Sequence, residues 1–248
     1  MSSDATPPSR IASAAAPRSR VSTSERTWRA LELALFASAI IPGLAMVGTA
    51  LLLLPMLPGG GADDAARLAT IVAHPLRFRI GWVPWHASAI SDLALSLVLV
   101  RVRTVPRALA FGCVALTLVA VACDQTGQAL WLTRGLELAR AAVATGDTAA
   151  YFRYEAFVFP LTGAWAAALY TAVAILWSFE LARAGLWSRA LTIVSLVAWS
   201  VFAIASAGPL LPAPLTLPLE AAGAANALGF VLLEAWFALV IEQVMRER

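Results

Sequence analysis

The sequence predicts an all-α integral membrane protein, a bundle of six transmembrane helices. The chain of 248 residues is 60% hydrophobic and 13% charged, whereas soluble domains carry about 25% charged residues. It also contains six long apolar runs, each near the ~20 residues that a helix needs to cross the ~30 Å hydrocarbon layer. No stretch alternates with a period of two residues, as the strands of a membrane β-barrel would.

The first 27 residues differ from the rest, because they are rich in Ser, Ala, Pro and Arg and have no apolar period. We expect them to form a disordered cytoplasmic tail. The apolar run that follows is too long for a cleaved signal peptide, whose apolar region has ~7–15 residues. Residues 28–248 are therefore predicted to form the membrane domain, with spans at about 30–55, 81–100, 108–131, 156–178, 189–208 and 219–241.

Local signals refine these elements. Pro42-Gly43 predicts a bend in the first span. Within residues 132–154, Leu136 and Ala139 fall on one side of a helical wheel, which predicts a short surface helix that ends at Gly146. The last outer connection, GPLLPAPLTLP, has four prolines and no charge, so it cannot form a regular helix.

The arginines predict the orientation in the membrane. The chain has no lysine, so all 18 basic residues are arginines. With six spans, twelve of them fall on the side that holds both termini and six on the other. The more basic side is cytoplasmic, so we expect a multi-pass protein of the cytoplasmic (inner) membrane with both ends inside. The small net charge of +3, carried at span ends, argues against nucleic-acid binding.

Tryptophans cluster near the predicted span ends. This placement predicts aromatic belts at the two membrane interfaces. Those toward the cytoplasmic side are Trp28, Trp177, Trp187 and Trp236, and those toward the outer side are Trp82, Trp85 and Trp131.

Three spans carry an isolated acid far from their ends, namely Asp92, Asp124 and Glu234. A charged group at the membrane centre costs ~2.5–3.5 kcal/mol even on the lenient insertion scale. We therefore expect the three carboxylates to face the interior of the bundle, where they would form a polar seam.

Other polar residues accompany these acids. Ser88 shares a helix face with Asp92, and Gln128 shares one with Asp124, because each lies four residues away. The candidate binding residues of the seam are therefore Asp92, Asp124, Glu234, His86, Ser88, Gln128 and Asn226. His86 lies at the outer approach, and six residues separate it from Asp92, so these two do not share a face.

The sequence leaves three interpretations of the seam open. The acids could bond to hydroxyls and amides on other spans as adhesion between helices. They could line a proton path or a pocket for a small solute, or they could serve catalysis. We expect neither a cofactor nor a metal site, because the chain has two histidines and no HxxxH or HExxH pattern.

Two segments resemble a bacterial family of six-span membrane proteins with no assigned function. One is HPLRFRIGW at the entry to the second span, and the other is the turn Gly185-Leu186-Trp187-Ser188-Arg189. The resemblance covers residues 30–245, although that family usually has proline where Ser188 stands. It implies an integral membrane protein and assigns no activity.

Three functions are consistent with these observations. The first is a membrane protein that binds or passes a small solute or proton through the seam. The second is an intramembrane enzyme acting on a lipid or another apolar substrate, which requires His86 and the carboxylates in one cavity. The third is a structural or accessory subunit, which requires no cavity. No catalytic residue is assigned, and the expected surroundings are the lipid bilayer.

Overall fold

The computed structural model describes residues 25–101 and 105–247, and these residues form helices joined by short connections. Most of the predicted tail lies outside the described residues, and its last three residues begin the first helix. The α-helices within these ranges are α1 (Glu25–Gly48), α2 (Asp64–Ala73), α3 (Pro75–Leu99), α4 (Arg107–Leu130), α5 (Leu136–Thr145), α6 (Ala149–Pro160), α7 (Ala167–Arg183), α8 (Arg189–Ala207) and α9 (Leu219–Glu247).

Short π-helical turns extend or join several of these helices. They cover Thr49–Leu53 after α1, Trp131–Gly135 between α4 and α5, and Leu161–Ala166 between α6 and α7. The last follows Pro160, whose ring nitrogen carries no hydrogen to donate to the helix. Helix α1 continues through Pro42, so the first irregular turn comes seven or more residues later than the predicted bend.

Near the end of α1, the side chain of Arg77 takes the place of the backbone donor that is missing at Pro55. The carbonyl of Leu51 would normally accept a hydrogen bond from residue 55, but proline has no N–H. Arg77 of α3 donates to this carbonyl at 2.6 Å and to the carbonyl of Leu52 at 3.0 Å. These bonds join the segment after α1 to the start of α3.

In the described part of the chain, six long helical segments pack into a closed ring. Going round the ring, α1 contacts α3, α3 contacts α4, α4 contacts α7, α7 contacts α8, α8 contacts α9, and α9 returns to α1. Neighbours run antiparallel: Ser38 Oγ donates to the carbonyl of Ser91, and Trp85 Nε1 donates to Thr49 Oγ1, so numbers rise in opposite directions along α1 and α3.

Five of the predicted spans coincide with helices that are long and apolar enough to cross a membrane. This confirms the all-α prediction and indicates a membrane-embedded protein. The remaining predicted span, about 81–100, corresponds to α3, which is long enough but carries more polar residues. The five segments, with their π and 3-10 extensions, are Glu25–Met56, Arg107–Thr145, Ala149–Arg183, Arg189–Leu210 and Leu219–Arg246.

The end of the ring that lies opposite Glu25 and Glu247 is covered by α2, α5 and the start of α6, which we call the outer cap. The predicted surface helix is present as α5, and Gly146 ends it in the left-handed conformation at φ 76°. Arg67 of α2 forms two hydrogen bonds to Glu155 of α6, at 2.5 and 2.7 Å. The two side chains are only 3% and 10% exposed, so this ion pair fastens α2 to α6 inside the cap.

The environment keeps Arg67 charged. Burial alone would lower the pKa of its guanidinium, but the hydrogen bonds and the negative charge of Glu155 raise that pKa above its ordinary value. The aromatic rings of Tyr151 and Phe152 lie 6.0 and 5.5 Å from the guanidinium carbon, within the range of cation–π attraction.

Candidate functional site

The ring of helices encloses a cavity of about 630 Å³, a volume typical of sites that hold small molecules. All six long segments contribute to its wall. Trp28 and Val244 line one end, and Pro58 and Glu220 line the other. The cavity therefore extends along much of the bundle.

Two of the predicted acids line this cavity. Asp92 comes from α3 and Asp124 from α4, and each is half-buried. Helices α3 and α4 are neighbours in the ring. Gln128 Nε2 donates to Asp124 Oδ1 at 2.9 Å, while Asp92 has no hydrogen bond or ion pair to any described residue.

Four more buried polar atoms of cavity-lining residues lack partners among the described residues. They are Gln128 Oε1, the hydroxyl of Tyr170 on α7, and the indole N–H groups of Trp82 and Trp177. Gln128 is 1% exposed, so the rest of its side chain is enclosed by protein. A buried polar atom without a partner costs ~1–3 kcal/mol, and all four residues belong to the cavity wall.

Aromatic rings form a large part of the remaining wall. Trp199 Nε1 donates to Ser178 Oγ at 2.9 Å, and Trp236 Nε1 donates to Ser195 Oγ at 2.8 Å. With these N–H groups bonded to serines, the two indoles offer apolar surface to the cavity. The other aromatic residues of the wall are Trp28, Trp82, Trp85, Phe159, Tyr170, Trp177, Trp187, Phe202, Phe230 and Phe237.

This arrangement corrects the prediction of aromatic belts. Trp82, Trp131, Trp177 and Trp236 are at most 7% exposed, so they pack inside the bundle and do not meet lipid headgroups. Trp165 differs from them, with 53% of its surface exposed. Position along a span indicates the depth of a tryptophan but not the direction in which it points around the helix.

The structure brings most of the predicted seam residues together. Asp92, Asp124, Ser88, Gln128 and Asn226 line the cavity. These residues come from α3, α4 and α9, so the shared space depends on the ring closing between the last helix and the first.

His86 and Glu234 do not line the cavity. His86 Nδ1 lies 2.6 Å from Gln125 Oε1, in a contact between α3 and α4. Glu234 is exposed and lies over Gly43 of α1, where an added Cβ would come within 3.0 Å of Glu234 Oε1. The three acids therefore do not share one space, because α9 turns Glu234 toward the outside of its contact with α1.

Sequence reasoning missed Tyr170 and the aromatic wall. A signal for Tyr170 exists, because it lies near the middle of the predicted span 156–178, whereas tyrosine is usual at membrane interfaces. Glu220, at the outer end of the cavity, was likewise not among the predicted binding residues. No sequence signal distinguishes aromatic residues that face a cavity from those that face lipid.

The site combines carboxylates with a few unpartnered acceptors and donors in a chamber that is otherwise apolar. Its wall contains carboxylates, an amide oxygen and aromatic rings, and the described residues that line it include no arginine or histidine. Among the described residues, no group of three or more His, Cys, Asp or Glu could hold a metal ion. We found no match to the chain among protein-family models, curated proteins or solved structures.

Proposed function

We propose that this protein crosses the membrane six times and that its central cavity binds or passes a small solute or a proton. Asp92 and Asp124 are the groups that interact with it. The observation that carries the proposal is the pair of cavity-facing carboxylates on neighbouring helices, with no arginine or histidine in the described wall to neutralise them.

The position of α3 supports a sixth span. Its 25 residues correspond to about 37 Å of helix, enough to cross the ~30 Å hydrocarbon layer. It lies in the ring between α1 and α4, both of which belong to segments apolar enough to cross. Its outward face is apolar as well, with side chains at least half exposed at Ile80, Val83, Ile90 and Leu97.

Six spans would place both termini on the same side of the membrane. The arginine distribution assigns that side to the cytoplasm, with twelve arginines against six. The outer cap with its Arg67–Glu155 pair then lies on the opposite side. The protein would reside in the cytoplasmic membrane.

The two other hypotheses have less support. An intramembrane enzyme needs His86 and the carboxylates in one cavity, but His86 does not line the cavity and contacts Gln125. A purely structural subunit has no need of a cavity of about 630 Å³ that contains unpaired polar groups.

A flux assay tests the proposal. The full chain is reconstituted into liposomes that contain a pH-sensitive dye, and a membrane potential drives protons across the bilayer. We expect Asp92→Asn or Asp124→Asn to abolish the flux, because each removes a group that exchanges a proton or contacts the solute. The variants must elute as folded protein in size-exclusion chromatography.

Glu234→Gln is the matched control, since it removes a carboxylate of the same bundle that lies outside the cavity. It should keep the flux of the unmodified protein. A chain with no flux of protons or of any solute tested, or with equal flux in all three variants, would contradict the proposal.

A further inference from the structure

We propose that the solute bound in the cavity is an organic cation, a protonated amine attached to an apolar body. This inference rests on the proposed function and adds the chemical class of the solute. It follows from three properties of the wall: its charge, its unpartnered acceptors and its aromatic surface.

The charge of the wall has one sign. Asp92, Asp124 and Glu220 line the cavity, whereas the described lining residues include no arginine or histidine. The chain has no lysine at all. A cation would be attracted to this wall, and a carboxylate or phosphate would be repelled.

The unpartnered acceptors near Asp124 call for a donor, although the indole N–H groups of Trp82 and Trp177 in the same wall are unpartnered donors. Gln128 donates its amide N–H to Asp124, which leaves Gln128 Oε1 as a buried acceptor without a donor among the described residues. The carboxylate of Asp92 also accepts no described hydrogen bond. An ammonium group carries three N–H donors and no acceptor, so it matches the chemistry of these acceptors.

The aromatic part of the wall suits the rest of such a molecule. Phe230 packs against Trp85 and Phe202 with ring centroids 5.4 and 5.3 Å apart, and Trp199 packs against Trp236 at 5.1 Å. Aromatic faces attract cations and bury apolar groups. Neither a bare metal ion nor a proton would use so much apolar surface.

A binding experiment with three matched probes tests this inference. The full chain in lipid nanodiscs is titrated at neutral pH with phenylbutylammonium, phenylbutanol and phenylbutyrate, which share one apolar body and differ in charge. Calorimetry or equilibrium dialysis measures saturable binding, and empty nanodiscs correct for partition into lipid. We expect the ammonium probe to bind at least about tenfold more tightly than the alcohol, and the carboxylate probe not to bind.

Variants locate the site. Asp124→Asn should weaken ammonium binding about tenfold and leave binding of the alcohol unchanged, and Asp92→Asn should act in the same direction. Glu234→Gln should bind all three probes as the unmodified chain does. Equal binding of the three probes, an ammonium affinity unaffected by both aspartate variants, or no saturable binding would each overturn the inference.

The flux assay separates the two proposals. If Asp92→Asn and Asp124→Asn abolish flux but the ammonium probe has no preference, the cation inference fails and the proposed function survives. If flux is also independent of both aspartates, the proposed function fails with it.

Discussion

Carboxylates in the outer cap and in the central cavity differ in the hydrogen-bond partners that the fold gives them. In the cap, both oxygens of Glu155 accept hydrogen bonds from Arg67, at 2.5 and 2.7 Å. In the cavity, Asp92 has no bonded partner in the described chain, and Asp124 has a single neutral one, Gln128. The carboxylate of Glu155 has an ion-pair partner for both oxygens, whereas those of Asp92 and Asp124 have no ion-pair partner among the described residues.

This difference separates an acid with a structural role from the two acids that we propose to be functional. Taking a charge out of water is costly unless geometry and hydrogen bonds compensate it. The chain provides that compensation at Glu155, where α2 must be held on α6. At Asp92 and Asp124 the fold does not compensate the cost of desolvation. This is expected for carboxylates whose partner is a bound ligand or a proton.

Breaking the cap pair should produce the largest change in stability. Arg67→Ala leaves Glu155 buried without its partner, so we expect the free energy of unfolding to fall by about 3–5 kcal/mol. Thermal unfolding of the purified chain in mild detergent measures the loss. The exposed pair Arg134–Glu137, whose side chains are 60% and 62% exposed, gives the control: Arg134→Ala should change stability by about 0–1 kcal/mol.

Replacing both charges of the cap pair sharpens this result. Arg67→Met combined with Glu155→Leu should recover most of the stability, because no unpaired charge remains buried. A double variant as unstable as Arg67→Ala would mean that packing, and not the ion pair, accounts for the loss.

Neutralising a cavity carboxylate should not lower the free energy of unfolding. Asp92→Asn removes a charge that the fold leaves without a partner, so the free energy of unfolding should stay the same or rise by about 1 kcal/mol. Glu155→Gln, the equivalent change in the cap, should lower it by about 3 kcal/mol. The same unfolding assay compares the two. If Asp92→Asn is as destabilising as Glu155→Gln, the contrast between the regions is lost.

Removing one aromatic ring from the cavity wall should have the smallest effect. Phe230→Leu keeps an apolar side chain but removes a π-face, so ammonium binding should weaken about threefold, in line with the ~0.5–1 kcal/mol of one cation–π contact. Titration of nanodiscs measures this change. Phe111→Leu, at a residue that is 62% exposed on α4 and outside the cavity wall, should have no effect, and an equal loss in both variants would exclude a specific contact.

The sequence predicted the helices better than it predicted their orientation. Apolar runs bounded by arginines located each long helix, because a membrane requires about 20 apolar residues whatever the helix contacts. Ser88 beside Asp92 and Gln128 beside Asp124 were found from four-residue spacing, which fixes the face of a helix. Glu234 shows the limit: spacing along α9 cannot tell which face α1 covers.

Features that depend on several helices were missed. The cavity exists because α9 closes the ring against α1, a contact between the two ends of the chain that no local pattern encodes. The same holds for Trp236, whose N–H bonds to Ser195 on α8 and whose ring therefore lies inside the bundle. Its polar residues also make α3 less apolar than the other five long segments. Its position in the ring nevertheless favours a sixth span.

Cysteine accessibility tests most directly whether the acids face a solvent-connected chamber inside the membrane. The background chain carries Cys113→Ala and Cys123→Ala. Single cysteines are then introduced as Ser88→Cys at the cavity wall or Ile90→Cys on the outward face of α3. Each variant is treated in nanodiscs with a membrane-impermeant, positively charged methanethiosulfonate. We expect the cysteine at 88 to react, more slowly when phenylbutylammonium is present, and the cysteine at 90 to remain unmodified. An inert cysteine at 88, or equal reaction at both positions, would contradict the account.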